Sequence, residues 1–146
     1  MITKASENNS NEIMDIWLSA NLSAHPFIPK TYWENLYDAV KAALPTADIF
    51  IYQENDEIKG FIGTVASSYI AGLFVNKDFQ SQGIGSKLLT HCQKLYPRLE
   101  LDVFVENESA TAFYQKNGFT IIETKPNKDF GRDEHRMSWQ TDKEEL

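Results

Sequence analysis

Seven consecutive residues, Gln80-Ser81-Gln82-Gly83-Ile84-Gly85-Ser86, have the composition of a phosphate cradle. Glycines let a backbone turn tightly and approach a ligand closely. The first N–H groups of a helix lack internal partners, and the helix dipole favours an anion beside them. A strand, a glycine turn and a helix start together make an anion site. Two glycines alone are weak, because Gly83 and Gly85 also suit an ordinary loop. Spacing excludes two rival phosphate motifs. No G-x-x-x-x-G-K-[S/T] is present, and Leu88 stands where G-x-G-x-x-G needs its third glycine.

Other side chains could move protons. The Tyr114 phenol, with a reference pKa of roughly 10, holds its proton at neutral pH and suits a general acid. Phe113-Tyr114 reads equally well as an aromatic pair packing a short helix. His25 titrates near neutrality, yet a loop histidine is more often structural or solvated. Asn107 suits a helix N-cap. Glu100, Asp102 and Glu106 alternate along one stretch and read as a polar sheet face, or as a source of one carboxylate to meet the ammonium of a cationic partner. The single cysteine, Cys92, permits no disulfide and no cysteine-based metal site within the chain. His91 and His135 stand too far apart in sequence to argue for a metal, so none is expected.

The elements that must position these groups follow from periodicity. Ile2 to Ala5 reads as a strand. Ile13, Ile16, Trp17 and Ala20 have helical spacing, giving a helix from Asn9 to Ser23. His25-Pro26-Phe27-Ile28-Pro29 breaks it, and a second helix fits Thr31 to Leu44 with Thr31 as its cap. Asp48–Glu54 and Glu57–Ser67 form a hairpin around Asn55-Asp56. Tyr69 to Asn76 is almost wholly apolar, as expected of a central strand buried on both faces. Gly83 to Tyr96 is helical, with Ile84, Leu88, Leu89, Cys92 and Leu95 on one stripe and Lys87, His91 and Lys94 pointing away.

Leu99, Leu101, Val103 and Val105 then alternate with Glu100, Asp102, Phe104 and Glu106 as a strand. A short helix, Ser109–Lys116, closes at Asn117-Gly118. Phe119–Thr124 and His135–Gln140 read as the final strands. The order β-α-α-β-β-β-α-β-α-β-β predicts an α/β (α+β) fold, a mixed, mostly antiparallel sheet with helices on both faces.

The 146 residues suit one domain, and no linker divides them. The expectation is a single domain over residues 1–141 and a flexible tail at 142–146. Net charge is −7, which disfavours nucleic acid. It would attract a cationic partner, or simply keep the chain soluble. The N-terminus lacks an apolar signal region, and the longest apolar run, Tyr69 to Val75, is too short to cross a membrane. The reading is a soluble, cytoplasmic protein without a membrane partner, either monomer or homodimer.

Two motifs in order carry a family resemblance. Gln80-Ser81-Gln82-Gly83-Ile84-Gly85 resembles the Q/R-x-x-G-x-G/A motif of GNAT N-acetyltransferases. Asn107-Glu-Ser-Ala110-Thr-Ala-Phe113-Tyr114-Gln-Lys-Asn-Gly118-Phe119 resembles their N-x-x-A-x-x-F/L-Y-x-x-x-G-F. Leu73-Phe74-Val75-Asn76-Lys77-Asp78 is similar to their L-x-V-x-P entry but lacks its proline. The element order matches across nearly the whole chain. A narrower resemblance, to small bacterial YiaC-type acetyltransferases, rests on His25-Pro26-Phe27-Ile28, Tyr32-Trp33, Phe74-Val75 and Met137-Ser138-Trp139.

The resemblance implies acetyl-CoA as co-substrate and an amine acceptor, in the narrower group a protein lysine. It implies that Gln80, Gln82, Gly83, Ile84, Gly85 and Ser86 hold the pyrophosphate. The Phe74 and Val75 backbone would pair with the pantetheine arm, with Asn107, Ala110, Phe113 and Lys116 as further cofactor contacts. Tyr114 would protonate the departing thiolate. Many family members carry a strand glutamate as base, but Ser68-Tyr69-Ile70-Ala71-Gly72-Leu73 has no acid. His25 is the candidate base, and Phe27, Trp33 and Tyr69 candidate acceptor contacts. Two rivals remain open, a non-catalytic acyl-CoA-binding module and a small-molecule acyltransferase.

Overall fold

Alternating strands and two-sided helix packing build the domain. The computed structural model describes residues 1–127 and 131–141; the expected tail lies outside them. Strand β1 (Ile2–Lys4) leads to helices α1 (Ser10–Ala24) and α2 (Lys30–Ala43). Strands β2 (Asp48–Glu54), β3 (Glu57–Val65) and β4 (Tyr69–Val75) follow as an antiparallel meander. Then come α3 (Ile84–Leu95), β5 (Arg98–Phe104), α4 (Glu108–Lys116), β6 (Thr120–Pro126) and β7 (Asp133–Gln140). All strands join one sheet in the order β1-β2-β3-β4-β5-β7-β6, as the mixed α/β expectation requires.

Each sheet face has its own core. On one, α1 and α2 lay Ile13, Met14, Trp17 and Trp33 against Ile49, Ile51 and Phe61. On the other, α3 and α4 lay Leu88, Leu89, Cys92 and Tyr114 against Ile62, Leu99, Leu101 and Met137. Cys92 is fully buried, and desolvation pushes its thiol up to about 12.

Among the described residues β4 and β5 are the only parallel neighbours, and their ladder registers a single pair, Tyr69 with Glu100. The Glu100 amide donates to the Ser68 carbonyl at 2.8 Å. Beyond that point the strands splay.

Several sequence expectations change. β4 is central but only Ile70 is buried, because the splay leaves Leu73, Phe74 and Val75 on the wall of a cleft. An apolar run marks a cleft-facing strand here, rather than a doubly covered one. β3 stops at Val65, because Ala66 (φ 54°) and Ser67 (φ 57°) make a left-handed turn without the usual glycine or asparagine. Thr31 is not the cap of α2. Pro29 precedes the helix at φ −56°, already close to helical φ, and Thr31 lies inside the first turn. Leu95, the last residue of α3, emerges from the stripe 53% exposed. His91 does not point away but leans on the Phe50 ring, 4.8 Å between centroids. Phe104 leaves the polar face of β5 and is buried among the α1–α2 aromatics.

Leu88→Ala is expected to cost about 2–5 kcal/mol by opening a cavity. Leu95→Ala should stay within about 0.5 kcal/mol. Urea titrations of both variants check the contrast.

Candidate active site

The splay opens a cleft of ≈ 960 Å³ whose walls come from three stretches of chain. One is the end of α1 with the loop after it, including His25 and Phe27. The second is the end of β4 with the turn into α3. The third runs from Glu106 through α4 to Lys116.

The turn into α3 has the geometry of an anion site. Ser81 (φ 67°) and Gly83 (φ 81°) both adopt left-handed backbone. Gly83 is the N-cap residue of α3, and among the described residues no side chain caps the helix. A Cβ on Gly83 would meet nothing within 4 Å, so its φ and the openness above it explain the glycine. Gly85 differs. A Cβ there would stand 3.3 Å from Phe113 Cζ and 3.7 Å from Val75 Cγ2, where α3, α4 and β4 crowd together. Gly83, Ile84, Gly85 and Ser86 all line the cleft, so the partial positive charge of the helix start lies on its wall. Gln80 staples this turn to β4, its Nε2 donating to the Val75 carbonyl at 3.1 Å.

Tyr114 approaches the cleft from α4 and is only 8% exposed. Phe113 and Phe119 pack against its ring at 5.2 and 5.5 Å. Burial holds its phenol well above the usual tyrosine range, so the proton stays on oxygen at any physiological pH.

His25 lines the same cleft from the α1–α2 loop, in an aromatic box. Its ring stacks on Trp33 at 5.4 Å and meets Phe27 and Phe104 edge-on at 5.6 and 5.3 Å. Burial pushes its pKa below the ordinary value, opposed more weakly by the Asn21 backbone. Asn107 caps α4, its Oδ1 accepting from the Ala110 amide at 3.3 Å. That leaves its Nδ2 as the group 3.4 Å from His25 Nε2. The polarity assigns Nε2 as acceptor and the imidazole proton to Nδ1.

A protonated phenol, a neutral imidazole, an uncapped helix start and an open strand edge can together bind a pyrophosphate-linked acyl donor and manage its protons. The acetyltransferase (GNAT) domain model matches residues 5–141. The chain belongs to the GNAT acetyltransferase family. Peptidyl-lysine N-acetyltransferase YiaC of Escherichia coli is 32% identical over 124 residues, spanning 84% of this chain and 85% of that protein. Peptidyl-lysine N-acetyltransferase YjaB of the same organism is 28% identical over 132 residues, 90% of this chain and 89% of that protein. The solution structure of apo YjaB superposes with a TM-score of 0.83 at 25% identity, covering 95% and 96% of the two chains. The PaiA N-acetyltransferase of Thermoplasma acidophilum, solved with coenzyme A, shares the fold at TM-score 0.82 and 17% identity, covering 97% and 98%.

Within this GNAT acyltransferase, the sequence candidates divide by position. Phe74, Val75, Gln80, Gly83, Ile84, Gly85 and Ser86 lie on one wall of the cleft. Asn107, Ala110, Phe113, Tyr114 and Lys116 lie on another, with His25 and Phe27 at the loop. Three candidates lie off the walls. Gln82 is exposed and does not line the cleft. Trp33 is buried beneath His25 and edge-on to Trp17, so it supports the imidazole and forms no groove wall. Tyr69 sits up-strand of the splay, its hydroxyl donating to Asp102 Oδ2 at 2.8 Å under the Arg136 guanidinium. It does not line this cleft, being engaged where β4 and β5 still touch. Among the described residues no three His, Cys, Asp or Glu gather as metal ligands, and no helix is long and apolar enough to cross a membrane.

Sequence reasoning missed Leu73 and Glu108 as cleft residues, and it gave no sign of Arg132 beside Glu106. Of Glu100, Asp102 and Glu106, the three acids offered for a cationic partner, Glu106 is the one that lines the cleft.

The lowered pKa of His25 has a stability consequence. The unfolded imidazole, at about 6.5, takes up a proton before the folded one does. Its contribution is therefore present above that pH and lost as pH falls through the folded value. Between about pH 7.5 and about pH 5.5, wild type should lose more stability than His25→Gln. Urea midpoints of both proteins at the two pH values measure the difference.

Proposed function

We propose that this protein transfers an acetyl group from acetyl-CoA to a protein lysine by direct attack within a ternary complex. The observation that carries the reading is Tyr114, a phenol kept protonated by burial, on the same cleft as the uncapped start of α3. The names of the YiaC and YjaB relatives support lysine as acceptor. The negative net charge suits a cationic one.

The residues divide the work. The backbone amides of Ile84, Gly85 and Ser86 hold the pyrophosphate at the positive end of α3. The β4 edge at Phe74–Val75, released from β5, offers its backbone to the pantetheine arm. An amide there polarises the acyl carbonyl and stabilises the charge that develops on its oxygen. The thioester itself supplies an activated acyl group and a thiolate leaving group. Tyr114 gives its proton to that thiolate. His25, neutral with its Nε2 lone pair toward Asn107, accepts a proton from the incoming amine through water. The 3.4 Å contact is long enough to yield to that proton. Holding both substrates in one cleft supplies much of the rate gain.

A second reading, a non-catalytic acyl-CoA-binding module, draws on one observation: β4 from Tyr69 to Val75 contains no carboxylate. A small-molecule amine as acceptor is a third. Lysine peptides and small amines tested side by side for thiol release separate all three.

Tyr114→Phe is expected to lower kcat by about 10²-fold. Its affinity for acetyl-CoA by calorimetry should stay within about twofold, since the ring still packs on Phe113 and Phe119. Unchanged turnover in this variant would remove the acid role and the central support for the proposal.

A further inference from the structure

Glu106 is an exposed carboxylate on the cleft wall, one residue before the Asn107 that touches His25. It already holds a cation. Arg132 Nη1 donates to both Glu106 oxygens, at 2.7 and 2.8 Å. The same guanidinium lies over the Phe27 ring, 5.2 Å from its centroid. Phe27 in turn meets His25 edge-on. A carboxylate on one side and an aromatic face on the other form a seat for a guanidinium or ammonium. Backbone pairing fixes the seat's position, since the Val105 amide donates to the Asp133 carbonyl at 3.0 Å. The occupant is less firmly held. The Glu106 and Arg132 side chains are 44% and 40% exposed, and such pairs are weak in water.

We propose that Arg132 is an internal stand-in for a positive charge of the acceptor, and that Glu106 with Phe27 selects acceptors carrying a second cation beside the reacting amine. This rests on the acetyltransferase reading. The seat suits a flanking charge and not the reacting amine. A carboxylate beside an ammonium favours the charged form, and only the neutral amine attacks. An incoming arginine or lysine displaces Arg132 from Glu106, exchanging one ion pair for another. Its neighbouring lysine is then free to lose its proton near His25.

The test uses two lysine peptides of equal length, one with arginine and one with glutamine beside the reacting lysine. Wild type should favour the arginine peptide by about fivefold in kcat/KM, through KM. Glu106→Gln should abolish that preference. Arg132→Gln, with its competing cation gone, should widen it to about tenfold. Spermidine compared with a monoamine asks whether a small polyamine can fill the same seat. Acetyl-CoA affinity should be the same in all three proteins. Calorimetric affinities of both peptides serve as a second readout, so failure of the acetyltransferase reading alone leaves the seat testable. Equal treatment of the two peptides by wild type overturns the inference. So does an equal loss with both peptides in both variants, which would make the pair a structural staple only.

Discussion

One interrupted ladder governs this molecule. β4 and β5 meet at Tyr69 and Glu100 and then part. A sheet normally satisfies every backbone group of a central strand. Here the C-terminal half of β4 forgoes β5 as a partner, and the cleft occupies the gap. That single constraint makes the apolar strand half-exposed and places its open edge beside the start of α3. It also brings α4, which follows β5, round to the opposite wall. The cores on the two faces hold the halves of the sheet at this separation. Leu88 and Leu89 anchor α3 while Met14 and Trp17 anchor α1, all buried within the two clusters.

Charge and burial then divide the cleft by function. The helix start supplies partial positive charge from backbone amides, needing no side chain beyond glycine. Tyr114 is buried enough to hold its proton, and His25 is buried enough to stay without one. These opposite effects share a cause, since desolvation penalises the ionised form of either group. The aromatic box around His25 therefore acts on its chemistry as well as its position. Trp33 belongs to that box, although its sequence context suggests a groove residue.

Much of the fold was legible in the sequence because periodicity reports burial. The order of eleven helices and strands and the bounds of β2 follow directly from the pattern. The turn Asn55-Asp56 was readable because those residue types tolerate left-handed backbone; Ala66-Ser67 was not, because alanine and serine seldom adopt it. Two glycines and a tyrosine disclosed the cleft through a motif. Apolarity misled at β4, since a strand facing a ligand and a strand facing two helices have the same composition. Tyr69 misled for a related reason. Its partner Asp102 lies 33 residues away, across the one point where β4 and β5 pair. Glu106 and Arg132, 26 residues apart, have no local signature at all.

The burial of Cys92 has a practical side. It is the chain's sole cysteine, fully enclosed under the sheet, with its thiol pushed up to about 12. Sulfur reacts as the thiolate, and this one neither ionises nor meets solvent. The protein therefore resists oxidants and electrophiles at that site and cannot carry an acyl group on its own sulfur. A colorimetric thiol assay on the folded protein therefore starts from a silent protein background.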